Sequence, residues 1–266
     1  MSSPDDPAGV RTAYGARAGE YAAVLGSMEA VHPDDRAAVA RWSDGVDGPV
    51  LDVGCGPGHW TAFLAERRAR SARRRPDAAS DHADSELMGL GPVPGRIDPA
   101  SGDLDPLSGR VDSAPEGFEL MPRRPRLPPD VTGIDPVPAF VEHARRAHPG
   151  VRFELGTAET LPADDGSVGG VLAWYSLVHH APATIDEAVG GIARVLRPGG
   201  RLLVGFFEGP TVEPFDHAVV TAWRWPVDEL AARLEIAGLT VLEQATRTDP
   251  GSRPHGALVA ERRPRR

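Results

Sequence analysis

The chain has 266 residues and a mass of 28.2 kDa, with 41% hydrophobic residues, enough for a core in one large domain or a domain with appendages. A formal net charge of -9 and a pI near 5.5 argue against nucleic acid or an anionic membrane surface as the main partner. A single cysteine, Cys55, excludes an internal disulfide and a multi-cysteine metal centre, and without a long apolar run or signal-like start the expected location is cytoplasmic.

Apolar residues from Val10 to Leu25 recur at helical spacing and stop near Gly26, predicting an amphipathic helix. A second helix is expected from Pro33 to just before Gly45, so residues 1–45 read as an N-terminal helical segment. "PVLDVG" is short, apolar and stopped by glycine, which reads as a buried strand, and "WTAFLAERR" follows as a helix. Residues 69–129 then break the pattern, with Phe118 as their one aromatic and abundant Pro, Gly, Ser and Asp. Such a segment lacks the apolar surface to offset its ordering entropy, so it reads as a disordered insertion.

Beyond it the alternation resumes: strand "VTGID", helix "PAFVEHARRAH", strands "VRFELG" and "GGVLAWYS", helix "TIDEAVGGIARVL", strand "RLLVGFF", helix "PVDELAARLEIAG" and two closing strands, "LTVLEQATR" and "GALVAER". The expected fold is a single α/β domain, a doubly wound, seven-stranded Rossmann-like sheet with helices on both faces. The final pair has a turn and no helix between its members, so the last strand is expected to be antiparallel.

Gly54, Gly56 and Gly58 follow the first strand as D-x-G-x-G-x-G, whereas a dinucleotide fingerprint would require glycine three places after Gly56, where His59 stands. The pattern makes a bare turn that lets a ligand approach the backbone without demanding a phosphate. Asp135 ends the second strand, where nucleoside binders of this topology place a carboxylate for the ribose hydroxyls. It lies 83 positions after Asp52, of which 61 belong to the insertion; the remaining 22 are close to the spacing of about 20 seen in such units.

In these motifs and their order, "AYGARAGEYA", "VLDVGCGPGHWTAFLAER", "VTGIDPVPAFVEHARRAHPGVRFELGTAETLP", "VLAWYSLVHH" and "ARVLRPGGRLLVGFFEG", the chain resembles the class I S-adenosylmethionine-dependent methyltransferases, in particular the small-molecule type 11 group. The resemblance implies S-adenosylmethionine as cofactor and methyl transfer to an O, N or C nucleophile of a small molecule. It implies that Asp52, Gly54, Cys55 and Gly56 surround the methionine part of the cofactor, with Asp52 near its ammonium group. Asp135 matches the ribose acid, and Thr157, Ala158 and Glu159 match the loop beside adenine, with Thr157 where the family often has Asp. The resemblance also implies that Trp174 and Tyr175 end the fourth strand facing the reactive methyl, and that residues 1–45, with Tyr14 and Tyr21 on their first helix, form an N-terminal helical lid. "SVGGV" at 167–171 departs from the usual "FDxV", a change expected to affect packing more than chemistry.

Bland readings stand beside these: Asp135 as a helix cap, Asp52 as a buried acid held by loop amides, and Cys55 as a small loop residue. His179 and His180, after the fourth strand, are candidate general bases, with Asp216 and His217 as a second pair on the substrate side. No cluster has convincing metal-ligand spacing. An NAD(P)-dependent oxidoreductase and a catalytically inactive cofactor-binding protein are the alternatives; the acceptor and the oligomeric state are not legible.

Overall fold

The computed structural model describes residues 7–74 and 130–264. The chain divides into two units, Met1–Ala72 with Leu127–Arg266, and Arg73–Arg126; nearly all of the second lies outside the described residues. Helix α1 spans Pro7–Leu25 and α2 Pro33–Asp44, with Pro33 in the first turn and the His32 side chain accepting from the Asp34 amide. Strand β1 is Val50–Val53, and α3 is His59–Arg74.

This third helix runs six residues into the segment expected to be disordered. "ARSARR" contains neither Gly nor Pro, and Arg70 pairs at 3.0 Å with Glu66 one turn earlier, so nothing local ends the helix at Arg68. The rest of the expected insertion, residues 75–129, lies outside the described residues.

Strands β2 (Val131–Asp135), β3 (Arg152–Leu155), β4 (Val168–Trp174) and β5 (Leu196–Glu208) join β1 in a parallel sheet ordered β3-β2-β1-β4-β5. Helices α4 (Pro138–Ala147) and α5 (Ile185–Val195) make the crossovers β2 to β3 and β4 to β5. Two short strands, β6 (Glu213–Phe215) and β7 (Ala222–Trp225), add a hairpin in a segment where the sequence pattern predicts no element. Helix α6 (Val227–Ile236) then leads to β8 (Leu239–Arg247) and β9 (His255–Arg262). β9 pairs antiparallel with both β5 and β8, as the turn between the last two strands requires.

Alternation along the strands explains the double winding. Leu51, Val53, Val171, Ala173, Leu202 and Val204 join a core with residues of α5 and α6. Val50, Leu172 and Leu203 sit in a second core with Val39 and Trp42 of α2 and Trp60 and Leu64 of α3. With period-2 side chains, apolar residues at consecutive positions require a layer on each face. The departure at "SVGGV" has a packing cause. A Cβ on Gly169 would lie 1.7 Å from the Asp47 carbonyl oxygen, because β4 starts against the loop that enters β1.

The strand order reverses between β2-β1 and β1-β4, which opens a crevice at the carboxyl ends of β1, β2 and β4. The glycine turn, Asp135 and the 174–180 segment all lie at that edge.

Candidate cofactor and acceptor site

The glycine turn is built by close approach. Gly54 has φ of 71°, and a Cβ there would sit 2.2 Å from the Ser176 Cβ, so a side chain fits neither the backbone nor the space. The amides of Gly54 and Cys55 both donate to the Ile134 carbonyl, at 2.7 and 3.0 Å, drawing the turn across the end of β2. The Gly56 amide then donates to Asp135 Oδ2 at 2.8 Å, and the Val137 amide to Asp135 Oδ1 at 2.8 Å. Each carboxylate oxygen keeps a second lone pair for another donor.

Two buried acids face this edge. Burial pushes the Asp135 carboxyl up to about 6 against the pull of its two amide partners. Asp52 is more deeply enclosed: burial pushes it up to about 7, although its Oδ2 accepts the Thr61 hydroxyl at 2.6 Å. Cys55, in the same turn, is buried, and its thiol is pushed well above its ordinary value by burial, so it is a thiol rather than a thiolate.

Two cavities share Gly54 as a wall. The first, about 520 Å³, is lined by Tyr14, Tyr21, Asp52, Cys55, Gly56 and Trp174 at one end; Tyr175, Phe207, His217 and His255 also line it. The second, about 360 Å³, is lined by Val10, Arg11, Thr157, Ala158, Glu159, Ser176, His179 and His180. Both volumes suit a small ligand. Of the residues lining the second cavity, Ser176 Oγ and His180 Nδ1 are buried polar atoms without a hydrogen-bond partner, as are His59 Nδ1 and His217 Nδ1 among those lining the first. Polar atoms left bare in this way suit a ligand that brings its own donors and acceptors.

Helix α1 crosses both cavities, with Val10 and Arg11 over one and Tyr14 and Tyr21 over the other. Tyr14 and Tyr21 meet edge to face at 5.6 Å and pack on Phe140 of α4, beside Ala18 and Val137. The Tyr14 hydroxyl lies 2.8 Å from His179 Nε2, while His179 Nδ1 lies 2.7 Å from the Thr221 carbonyl. A carbonyl only accepts, so Nδ1 carries the proton and Nε2 receives the Tyr14 hydroxyl. Burial pushes His179 down to about 4, which keeps it neutral at neutral pH.

His180 is occupied differently: its Nε2 donates to Glu159 Oε1 at 2.8 Å, a bond that leads in holding the Glu159 carboxyl well below the usual carboxylate range. His217 packs its ring 5.7 Å from His179 and 5.6 Å from Phe207. Asp216 lines neither cavity among the described residues, and its backbone carbonyl accepts from Arg253 at 3.5 Å, so the expected Asp216–His217 pair is not assembled. Asp135 also lies outside both linings, joined to the first cavity through Gly56.

The far wall of the first cavity carries residues that the sequence motifs do not mark. Arg247, at the end of β8, bridges Asp35 of α2 at 2.6 Å and Asp249 at 2.7 Å. Tyr175 is the one non-glycine residue with positive φ among those described, at 56°, and its hydroxyl pairs with His255 Nδ1. Only the fold joins these positions, which are up to 220 residues apart in sequence. Among the described residues no three His, Cys, Asp or Glu side chains could hold a metal ion, and no helix is long and apolar enough to cross a membrane.

Comparison with known proteins agrees with the strand order and the motifs. A methyltransferase domain family matches residues 117–200. An uncharacterized methyltransferase of Mycobacterium bovis is 46% identical over 76 residues, 27% of this chain and 29% of that protein. The demethylmenaquinone methyltransferase of Beutenbergia cavernae is 36% identical over 87 residues, 33% of this chain and 35% of that protein. The matches thus span about a third of these relatives' own length. Among solved structures, the Burkholderia thailandensis 1,6-didemethyltoxoflavin-N1-methyltransferase, with bound 1,6-didemethyltoxoflavin and S-adenosylhomocysteine, superposes with a TM-score of 0.64. It shares 19% identity over 99% of this chain and 92% of that one. In motif order, glycine turn and strand order, and by these likenesses, the chain is similar to the S-adenosylmethionine-dependent methyltransferases.

Proposed function

We propose that the chain transfers a methyl group from S-adenosylmethionine to an O, N or C nucleophile of a small molecule. The observation that carries this reading is the Gly56–Asp135 link at the strand-order reversal, with a cavity on either side of Gly54. Asp135 offers its remaining lone pairs to ribose hydroxyls, and Asp52 sits where an ammonium would neutralise it. Gly54, Cys55 and Gly56 enclose the methionine part, with Tyr21 and Trp174 as walls. Thr157, Ala158 and Glu159 flank adenine, and the bare Ser176 Oγ and His180 Nδ1 are available to its edge.

When bound, the cofactor supplies a methyl group on a positively charged sulfur, already electrophilic. The side chains then have to orient two reactants, which lowers such a barrier by roughly 7 to 11 kcal/mol. Where the nucleophile carries a proton, we assign its removal to His217. His179 has both ring nitrogens engaged, by Tyr14 and Thr221, and His180 is tied to Glu159 in the other cavity, whereas His217 Nδ1 is unpartnered in the first.

Calorimetric titration tests the cofactor half. S-adenosylmethionine is expected to bind the intact chain and to lose at least about tenfold in affinity in Asp135→Ala, some 1.4 kcal/mol. Absence of binding would overturn the reading. For the base, His217→Ala should slow turnover of a protic acceptor while leaving S-adenosylhomocysteine affinity intact; equal turnover would remove His217 from the mechanism.

A further inference from the structure

Three arginines stand near the end of the first cavity that Phe207 lines, and their partners distinguish them. Arg247 is held between Asp35 and Asp249 at 2.6 and 2.7 Å, and Arg224 of β7 lies 3.5 Å from Glu213 of β6. Arg253, in the turn between β8 and β9, has no carboxylate within ion-pair distance among the described residues. Its guanidinium lies 4.9 Å from the centre of the Phe215 ring, which Arg224 also approaches at 5.1 Å. It makes one hydrogen bond, at 3.5 Å, to the Asp216 carbonyl oxygen. Most of the guanidinium's donors are thus left open for a guest.

Arg253 stands at a hollow beside the first cavity. Phe207, Gly251, Ser252, Arg253 and His255 line it, no acid among them, and Phe207, Ser252 and His255 line the first cavity as well. The carboxylates nearby are engaged or turned away. Asp35 and Asp249 are paired with Arg247, and Glu213 with Arg224. Asp216 lines neither space, and Glu208, next to Phe207 on β5, alternates to the other face of that strand. Burial pushes His217 below its ordinary value and the Arg253 cation adds to that, so this charge is felt at the wall of the first cavity. A guanidinium fork matches an oxyanion through two parallel hydrogen bonds, and the Phe207 ring beside it suits the apolar remainder of such a guest.

We propose that Arg253 determines specificity by receiving an oxyanion of the methyl acceptor, a carboxylate or a phosphate, while the acceptor's apolar body lies against Phe207. The inference rests on the methyl-transfer reading for the identity of the guest as an acceptor. The anion site itself does not depend on it.

The test uses three probes with one ring system: 2-naphthol, which is uncharged at neutral pH, 2-naphthoate and 2-naphthyl phosphate. Each is titrated into the full chain with and without saturating S-adenosylhomocysteine, whose own titration comes first. At least one anion is expected to bind at least about tenfold more tightly than 2-naphthol, and the tighter of the two identifies the oxyanion. Arg253→Gln should erase that margin and leave the affinity for 2-naphthol unchanged, a split that lost packing on Phe215 would not produce. Arg253→Lys should restore part of the margin, and Arg224→Gln, which removes a paired arginine from the same ring, should leave it in place. If Arg253→Gln does not fold, the wild-type margin should still shrink as salt is raised. Equal binding of the three probes, a margin unmoved by Arg253→Gln or by salt, a margin that Arg224→Gln also removes, or no binding by any probe would each overturn the inference. Failure of S-adenosylhomocysteine to bind, with the Arg253-dependent margin intact, would overturn the cofactor reading and leave the anion site standing.

Discussion

At the scale of single residues the site is governed by two carboxyls that the fold holds away from water. Asp52 and Asp135 are pushed up by burial to about 7 and about 6, from ordinary values near 3.8. For a carboxyl raised on folding, the native state binds more protons than the unfolded chain between the two values. Stability contributed by the pair is therefore present below about pH 4 and falls as pH rises towards 7. His59 and His179, both pushed down to about 4 by burial, act in the opposite sense over a similar window, so the wild-type profile conceals the effect. Asp52→Asn should expose it: the variant's stability relative to wild type should climb by a few kcal/mol between pH 4 and 7, measured by urea unfolding at each pH. A flat difference would mean that Asp52 titrates normally. Sequence alone marks Asp52 and Asp135 as acids at the ends of two strands, but not their protonation, because burial depends on α1 and α3 closing over them. The Arg247 clamp was illegible for a similar reason: "TRTDPG" reads as a turn after a strand, and its partner Asp35 opens a helix more than two hundred residues earlier.

At the scale of elements, periodicity and punctuation predict the sheet well and the helix ends less well. Seven strands follow from short apolar runs bounded by glycine or proline, and the antiparallel last strand from the lack of a helix before it. β6 and β7 escaped because neither "EPF" nor "AWRW" alternates for long enough to show a period, and their pairing depends on the end of β5. Helix α1 is the element whose stability is borrowed. Most of its side chains are exposed, Ala18 is buried, and Tyr14 and Tyr21 supply its hold on α4. Such an element opens locally at low cost. Its amides should exchange with deuterium faster than those of α5 in the free protein and slow on addition of S-adenosylhomocysteine. Tyr14→Phe should lessen that slowing by leaving His179 Nε2 without its donor. Protection of α1 that does not change with ligand would separate it from the site.

At the scale of the whole molecule, the described fold breaks off and resumes at one place. Arg68 of α3 touches Asp130 at 2.6 Å, at the entrance to β2, so the helix leaves the sheet beside the point where the chain returns. From Arg68 to Arg74 the helix rises only about 9 Å. Replacing residues 75–129 by roughly eight glycine and serine residues should therefore keep the fold and the affinity for S-adenosylhomocysteine, read by circular dichroism and calorimetry. Loss of binding in a folded variant would make that segment part of the site.

The first cavity is covered by different elements along its length. Phe207, Ser252 and His255 line the first cavity and also a neighbouring hollow that they share with Gly251 and Arg253. The glycine turn lies under Tyr14 and Tyr21, which α1 holds against Phe140 and His179. Under the methyl-transfer reading, a product held beside Phe207 would depart without disturbing α1, whereas a cofactor beneath Tyr14 and Tyr21 would be freed as that helix lifts.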